Sequence, residues 1–416
     1  MLNNFKINIR EIDKIKKISK EEKKFRVKNL SLFNEVGFPN KKNEDWKFSD
    51  LKTIISKNFD KFIPTKKKTT NKKFNFIKDF EHNYIILVNG EFNSSNFKYE
   101  EKENLKIKTF EEKNFFDEKS NSLINLNNAL FKKGYSLEVK ENYKFKKILI
   151  FYNLFTENLK ANILNSKNKI ILKKNSELHT IDYVINLSKN KFFNNVHESI
   201  ILEEKAVYKN ICIQNEKSNG FFHKFCKSNL ASDSNYSSFI FPSGLKFNKL
   251  DLEFNLKGPR SECNLQSAFF SNSDDHQEIK TKVNHIAPNC KSYQKVKSVL
   301  NSEGKGVYQG KILVKENAQK TDAYQLSKAM LLSDNSEFNS KPELEIYADD
   351  VKCSHGSSSG SVDEDSIYYL MSRGLSRKEA VKLIVNGFLN EIIESIESNS
   401  IRRFVQKKIE GQIHEY

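Results

Sequence analysis

The feature that most constrains the fold is a long stretch, from about residue 136 to 350, in which apolar and polar residues alternate. The alternation is clearest over 250–257 and 179–187 and weaker over 308–314. A period of two places successive side chains on opposite faces of a β-strand. Because no helical pattern separates these strands, a sheet wound through βαβ units is excluded, and two architectures remain open, a β-sandwich and a β-solenoid.

Helical patterns flank this stretch at both ends of the chain. Residues 11–36 carry apolar side chains at helical spacing. Near the other end, Asp363 can cap a helix that stops at Gly374. Ser376 and Glu379 then form a capping box for a further helix. The spacing of its apolar residues predicts that this helix has one apolar side, formed by Ala380, Leu383, Ile384, Phe388, Ile392 and Ile396. A hairpin with such a side must dock on the chain's own core or on a partner.

These patterns divide the chain into four regions. The predicted regions are an N-terminal helical region at 1–63, a linker with a small α/β segment at 64–135, the β core at 136–361 and a C-terminal helical region at 362–416. Within the second region, residues 84–88 predict a strand that ends in an Asn89-Gly90 turn.

The chain is basic, with 70 Lys and Arg against 53 Asp and Glu and a formal net charge of +17, which raises the question of nucleic-acid binding. Lysine is spread along the whole sequence, whereas nucleic-acid binders usually concentrate basic residues on one element, with stacking aromatics nearby. The one dense run, at 66–68 and 72–73, is typical of a flexible linker. We therefore expect no nucleic-acid partner.

The sequence gives no sign of a membrane or export segment. Apolar runs such as 148–152 are far shorter than the ~18 residues of a membrane span. Charged residues throughout 1–25 argue against an export signal. The five cysteines are odd in number and far apart, which fits neither a disulfide framework nor paired-cysteine metal binding. We expect a reducing, cytoplasmic location and no membrane partner.

The strongest polar motif lies in the segment 343–365, at the end of the alternating region. Cys353 and His355 are two residues apart, so on a strand they point the same way, with roughly 6.5–7 Å between their Cα atoms. A thiolate and a neutral imidazole are both ligands for iron. Two ligands cannot hold a cluster alone, so a partner would have to complete the site. The alternative interpretation is a buried cysteine beside a hydrogen-bonded histidine.

Other candidate residues carry weaker signals, and no catalytic or cofactor-binding residue is predicted. We expect His179 to be a core residue, because it lies in an apolar row, and Trp46 to be a packing anchor. A direct role is not expected for three further residues, Cys212, His285 and Cys290. The glycine-rich segment 304–312 lacks the residues of a phosphate-binding loop and predicts a turn between strands.

Four motifs follow one another along the chain. The longest is KPELEIYADDVKCSHGSSSGSVDEDSIYYLMSRGLSRKEAVKLIVNGF at 341–388, and the others lie at 43–51, 283–314 and 320–334. Together they resemble the SufB/SufD family of the SUF iron–sulfur cluster assembly machinery over most of the chain. The resemblance implies a mainly β protein with a right-handed parallel β-helix core, flanked by N-terminal and C-terminal α-helical regions. With ~20 residues per coil and ~4.8 Å between strands, such a core would have about ten coils.

The resemblance also implies partners. A chain of this kind pairs with SufB through the open end of the β-helix. It binds the ATPase SufC, and through it ATP, with C-terminal helices that correspond to 363–396. A homodimer is expected as an alternative for the isolated chain.

The resemblance implies site residues as well. His355 matches the family's interface histidine, implicated in building a transient Fe–S cluster, and Cys353 is a second candidate ligand. The chain itself would be a non-catalytic scaffold, with no cofactor when isolated, that couples SufC motion to the interface.

Two positions favour the SufD branch of the family over the SufB branch. SufB-type chains carry HEAT-like residues where this chain has 355–358, and a key cysteine where it has Ser336. Without that thiol, this chain is not expected to be the principal sulfur acceptor. Two other classes remain as alternatives, a β-helical carbohydrate-active protein, which would need carboxylates along an exposed groove, and a basic nucleic-acid-binding protein.

Overall fold

The computed structural model describes residues 6–15, 18–59, 63–64, 74–110, 121–157, 159–214 and 217–414. The Lys-rich run at 66–68 and 72–73 lies outside these residues. The α-helices are α1 (Arg10–Asp13), α2 (Lys20–Val36), α3 (Leu51–Asn58), α4 (Ser122–Leu130), α5 (Glu364–Ser372), α6 (Arg377–Ile393) and α7 (Asn399–His414). Among the described helices, none combines the length and apolarity of a membrane span.

The strands occupy most of the chain between α3 and α5. They are β1 (Ile63–Pro64), β2 (Asn83–Val88), β3 (Glu91–Asn96), β4 (Leu105–Thr109), β5 (Lys132–Val139), β6 (Leu149–Phe155), β7 (Asn162–Leu172), β8 (Glu177–Asn186), β9 (Phe192–Leu202), β10 (Val207–Gln214), β11 (Ser218–Leu230), β12 (Asn235–Pro242), β13 (Leu245–Leu256), β14 (Glu262–Ser271), β15 (His276–His285), β16 (Lys291–Leu300), β17 (Lys305–Val314), β18 (Thr321–Leu331), β19 (Glu337–Ile346) and β20 (Val351–Ser361). The predicted strand over 84–88 is confirmed as β2, and its Asn89-Gly90 turn has positive φ at both residues.

These strands form two ten-stranded sheets. Sheet A runs in the order β19-β17-β15-β13-β11-β9-β7-β5-β4, with β1 beside β7, and sheet B runs β20-β18-β16-β14-β12-β10-β8-β6-β2-β3. From β5 onward the chain alternates between the sheets, and neighbours within each sheet are parallel. This is a parallel β-solenoid of about eight turns with helices at both termini, which confirms the mainly β fold and excludes the sandwich. The boundaries of the four regions stay a prediction.

The coils are longer and fewer than the sequence suggested. Stacked residues in neighbouring coils are between 26 and 34 positions apart, for example 26 for Phe221 and Phe247 and 30 for Ser327 and Ser357. Each coil supplies one strand of about ten residues to each sheet. The predicted coil length and the predicted number of coils were therefore wrong, because the alternation shows where strands lie but not how many residues make up one coil.

The helix predicted over 11–36 is instead two helices. It is divided into α1 and α2, and the side chain of Ser19 accepts a hydrogen bond from the Glu22 amide at the start of α2. A serine cap stabilises a new helix start because it satisfies one of the amides that lack a partner in the first turn. The apolar spacing continued across this break, so periodicity alone did not reveal it.

Both sheets are covered on their outer faces by helical segments. On sheet A, Phe193, Phe221 and Phe247 form a buried cluster with residues of α2, α3 and α4. On sheet B, Ile181 and Tyr183 form a buried cluster with residues of α6 and α7. The apolar row of β8 therefore faces these helices, and the intervening polar residues of that strand face the solenoid interior.

The motif at 43–51, NEDWKFSDL, is fixed to sheet A by a buried ion pair. Trp46 is 2% exposed, and the Lys249 ammonium lies 4.6 Å from its ring centroid. Lys249 also donates to the carbonyl oxygen of Asp45 at 2.9 Å and contacts the Glu278 carboxylate. Burial would raise the pKa of Glu278, but Lys249 beside it brings that pKa down to about 2. Trp46 is thus the packing anchor that the sequence predicts, and it holds the 43–51 segment, the N-terminal clamp, against sheet A.

Replacing Lys249 with Met is expected to lower the free energy of unfolding by about 3–5 kcal/mol, because Glu278 is then left buried without its cation. Denaturant unfolding of the full chain measures this. The matched control is Lys246→Met on the same strand, since Lys246 pairs with the largely exposed Asp274 at the surface and should cost under ~1 kcal/mol. Equal effects of the two substitutions would contradict this account of the clamp.

Candidate functional site

Cys353 and His355 lie on β20, the last strand of sheet B. Among the described strands, β20 pairs only with β18, where Cys353 stands beside Ala323 and His355 beside Gln325. Ala323 and Gln325 are buried in the solenoid interior, so their partners belong to the same inward row. No described coil covers this row at β20. Cys353 is accordingly half-buried and His355 is exposed.

A buried amide lies directly beneath His355. Gln325 is 2% exposed, and its Nε2 donates to the carbonyl oxygen of Glu343 at 3.3 Å. Its Oε1 has no hydrogen-bond partner within the part of the chain that the structure describes. An unsatisfied buried acceptor is costly. His355 is the residue stacked on Gln325, and a ring N–H is a donor of the type that this oxygen lacks.

The glycines of the 304–312 segment support this arrangement, and the predicted turn there is wrong for two of them. Gly306 and Gly310 lie inside β17, and only Gly304 precedes the strand. A Cβ at Gly310 would lie 2.2 Å from Oε1 of Gln325, so glycine leaves the room that this amide occupies. The segment therefore contributes to the interior of the solenoid's last coils.

The second half of the open end is β19, the last strand of sheet A. The hydroxyl of Ser327, one coil below, lies 2.9 Å from the hydroxyls of both Ser340 on β19 and Ser357 on β20. At the C-terminal end of β19, Ile346 and Tyr347 are 39% and 60% exposed. The last coil thus leaves interior polar groups and large apolar side chains uncovered, and another protein surface packed on this end would cover them.

Cys353 is the one partly exposed cysteine of the five, since the other four are buried. Burial, together with the nearby Asp322 carboxylate, raises the pKa of the Cys353 thiol above its ordinary value. Metal binding at Cys353 must therefore displace a proton. Burial raises the pKa of Cys212 to about 12, so that thiol stays protonated at neutral pH.

The described residues contain no group of three or more His, Cys, Asp or Glu side chains that could hold a metal ion. Cys353 and His355 provide two possible metal ligands that are at least partly accessible to solvent. A metal cluster at this end would therefore need further ligands from outside the described chain. Ser336, the position at which the family resemblance implies a cysteine in SufB-type chains, lies in the turn before β19 and donates to the carbonyl oxygen of Ser333 at 2.6 Å.

The structure places the other predicted residues away from this end. His179 is not a core residue, which corrects that prediction: its side chain is 38% exposed and its Nε2 lies 2.9 Å from the Glu177 carboxylate. It stands at the outer edge of the row that α6 and α7 cover. His285 is buried, and its Nε2 lies 2.8 Å from the Ser292 hydroxyl.

An ionic group that the sequence did not predict lies inside the solenoid. Lys224 pairs with Glu198 at 2.5 Å and with Asp182 at 3.6 Å. Burial raises the pKa of Asp182 despite the nearby Lys224. The alternation along β8 contained the necessary information. The apolar residues on either side of Asp182 face the C-terminal helices and not the interior, so Asp182 itself faces the interior.

The C-terminal hairpin of α5 and α6 confirms the predicted caps. Asp363 accepts from the Asp365 amide, and Ser376 and Glu379 form the capping box. Gly374, with φ +97°, follows α5 as predicted. The predicted apolar side packs against sheet B with one exception, Leu383, which is 52% exposed. With Tyr368, Tyr369 and Met371 at 76%, 57% and 42% exposure, Leu383 gives the hairpin exposed apolar side chains.

Comparison with known proteins identifies a family. The model of the SUF system FeS cluster assembly SufBD core domain matches residues 155–388, more than half of the chain. The iron–sulfur cluster assembly protein SufD of Escherichia coli is 23% identical over 92% of this chain and 90% of its own length. A SufBD family protein of Synechocystis is 24% identical over 89% of this chain and 86% of its own length. The chloroplastic protein ABCI7 of Arabidopsis thaliana is 24% identical over 61% of this chain and 54% of its own length.

The order of elements, the open end at β20 and the family match over the solenoid lead to one conclusion. The chain belongs to the SufBD family of the SUF system, and its role lies in iron–sulfur cluster assembly.

Proposed function

We propose that the chain is a SufD-type scaffold subunit that supplies His355 to a nascent iron–sulfur cluster at an interface with SufB. The observation that carries the proposal is the position of His355: exposed, on the terminal strand, and in the row of interior side chains that the last coil leaves uncovered. The similarity to SufD of Escherichia coli over most of both chains supports the SufD branch.

The proposed partner at this end is SufB, which covers the last coil. An exposed strand edge and uncovered apolar residues such as Ile346 and Tyr347 are liabilities unless another surface covers them. An isolated chain can cover the same end with a second copy of itself. The interface would enclose His355 and Cys353 together with ligands from SufB.

The proposed chemistry at the interface is coordination alone. Iron and sulfide are the cargo of the complex. The imidazole of His355 offers one ring nitrogen to iron, while its other ring nitrogen can donate an N–H to the unpaired Oε1 of Gln325. Such a second hydrogen bond fixes the tautomer and ring orientation of a ligand histidine. Cys353 is the second proposed ligand and requires loss of its proton.

The motion that opens and closes the interface is proposed to come from SufC, bound at the α5–α6 hairpin. That hairpin exposes apolar side chains on its outer side. On its inner side it packs against Met330 of β18 and against Val362, which directly follows β20. Movement of the hairpin, powered by ATP at SufC, would therefore act on the strands that carry the open end. The subunit itself is proposed to catalyse no reaction and to act in the cytoplasm.

The test is co-expression of this chain with SufB and SufC, followed by purification under anaerobic conditions and analysis of iron and sulfide. We expect the three proteins to purify together and to accumulate iron and sulfide when ATP is supplied. Purification of this chain without SufB at matched expression would overturn the proposed partnership.

A further inference from the structure

The free edge of β20 carries an uninterrupted row of backbone donors and acceptors. The amide of Val362, directly after β20, donates to the carbonyl oxygen of Leu331 on β18 at 3.2 Å, and the amide of Asp322 on β18 donates away from β20, to the carbonyl oxygen of Cys290, at 3.0 Å. Because amide direction alternates along a strand, the even-numbered residues of β20 bond to β18 and the odd-numbered residues face outward. The outward positions are Val351, Cys353, His355, Ser357, Ser359 and Ser361. None is proline, so each offers an N–H and a C=O.

The free edge of β19 differs at its centre. The amide of Glu337 donates to the carbonyl oxygen of Gly304, directly before β17, at 3.1 Å, and the amide of Tyr347 donates to the carbonyl oxygen of Val314 on β17 at 2.9 Å. The odd-numbered residues of β19 therefore bond inward, and the even-numbered ones face the free edge. Pro342 is one of these, so the middle of this edge has no N–H to offer. Proline on a free edge is a known way to prevent strand addition.

Side chains reinforce the contrast between the two edges. In β19, Pro342 is flanked by Lys341 and Glu343, and Glu345 follows two residues later. From Cys353 to Ser361, β20 contains no Asp, Glu, Lys or Arg and consists mainly of glycine and serine. Small uncharged residues let another backbone approach closely, whereas charged residues on an edge discourage pairing.

We propose that SufB joins this chain by adding a β-strand to β20 alone, so that sheet B continues across the interface and sheet A ends at β19. This inference rests on the proposed function for the identity of the partner. Main-chain pairing along β20 would hold the backbone of His355 in the shared sheet while its side chain stays in the interior row. The position of the ligand would thus be set by hydrogen bonds of the interface itself.

Two serine-to-proline substitutions form a matched test. Ser357 on β20 and Ser340 on β19 both face the free edge with their amides, and both contact the hydroxyl of Ser327 at 2.9 Å. Ser357→Pro is expected to weaken SufB binding at least about ten-fold, because it removes a donor and obstructs pairing on both sides of it. Ser340→Pro is expected to change binding less than about three-fold. Ser357→Ala separates the hydroxyl from the amide and should bind like the unchanged chain.

Binding is measured by titrating purified SufB into each variant, after thermal unfolding shows that the variant is folded. Hydrogen exchange of the unchanged complex provides a measurement free of substitutions, with slower exchange expected over 351–361 than over 337–346 on SufB addition. Unimpaired binding of Ser357→Pro, or equal losses from both prolines, would overturn strand addition at β20. Protection of 351–361 by a second copy of this chain but not by SufB would overturn the choice of occupant. Failure of the unchanged chain to bind SufB would instead count against the proposed function.

Discussion

Replacing His355 with alanine is expected to reduce iron and sulfide on the purified complex to background while leaving the amounts of this chain, SufB and SufC unchanged. The side chain is exposed on the terminal strand and makes no hydrogen bond within the described residues, so its removal should cost little stability. Its loss removes a proposed ligand from a site for which this chain offers two at most. Anaerobic reconstitution with ATP, followed by iron and sulfide analysis, measures the effect.

The control for this substitution is His179→Ala. His179 is also a partly exposed histidine on sheet B, but it pairs with Glu177 and lies several coils away from the open end. Its replacement should leave cluster yield at the unchanged level. Normal yield from His355→Ala would remove His355 from the mechanism, and loss of the complex itself would show that His355 acts in assembly instead.

A charge on the α5–α6 hairpin is expected to abolish SufC binding. In the double variant Tyr368→Asp and Leu383→Asp, two carboxylates replace exposed apolar side chains of the proposed docking surface. Burying an unpaired charge at an interface costs several kcal/mol, so affinity for SufC should fall at least about 100-fold. SufB should still purify with the variant, because the open end at β20 is untouched. Quantitative pull-down and titration with SufC measure both results.

Val36→Asp provides the matched surface control. Val36 is 65% exposed at the end of α2, in the N-terminal part of the chain. A carboxylate there should leave SufC affinity within about two-fold of the unchanged chain. If the hairpin variant retains normal SufC binding and remains folded, the hairpin is not the docking surface and the proposed route of coupling is wrong.

Local signals in the sequence predicted their structures well. The capping box at Ser376 and Glu379 and the helix stop at Gly374 depend on a few neighbouring residues, and both are present. The shared parity of Cys353 and His355 likewise follows from strand geometry alone, and β20 places both in one inward row.

Features that depend on tertiary packing could not be predicted in the same way. Alternation shows two faces but not which face is inward when helices cover the outer one. For this reason the alternation predicts a core position for His179, which is wrong, and does not reveal the interior position of Asp182 beside Lys224. The coil length could not be predicted from local patterns either. Stacked residues such as Ser327 and Ser357 are 30 positions apart, and no repeated sequence motif marks that spacing.

The most direct test of the central claim is a spectroscopic search for a histidine nitrogen from this chain on the assembled cluster. This chain would be labelled with ¹⁵N-histidine, combined with unlabelled SufB and SufC, loaded anaerobically and reduced to a paramagnetic state. The account predicts a ¹⁵N hyperfine coupling in pulsed electron paramagnetic resonance that disappears in the His355→Gln variant. A cluster of normal yield whose spectrum contains no ¹⁵N coupling would contradict it.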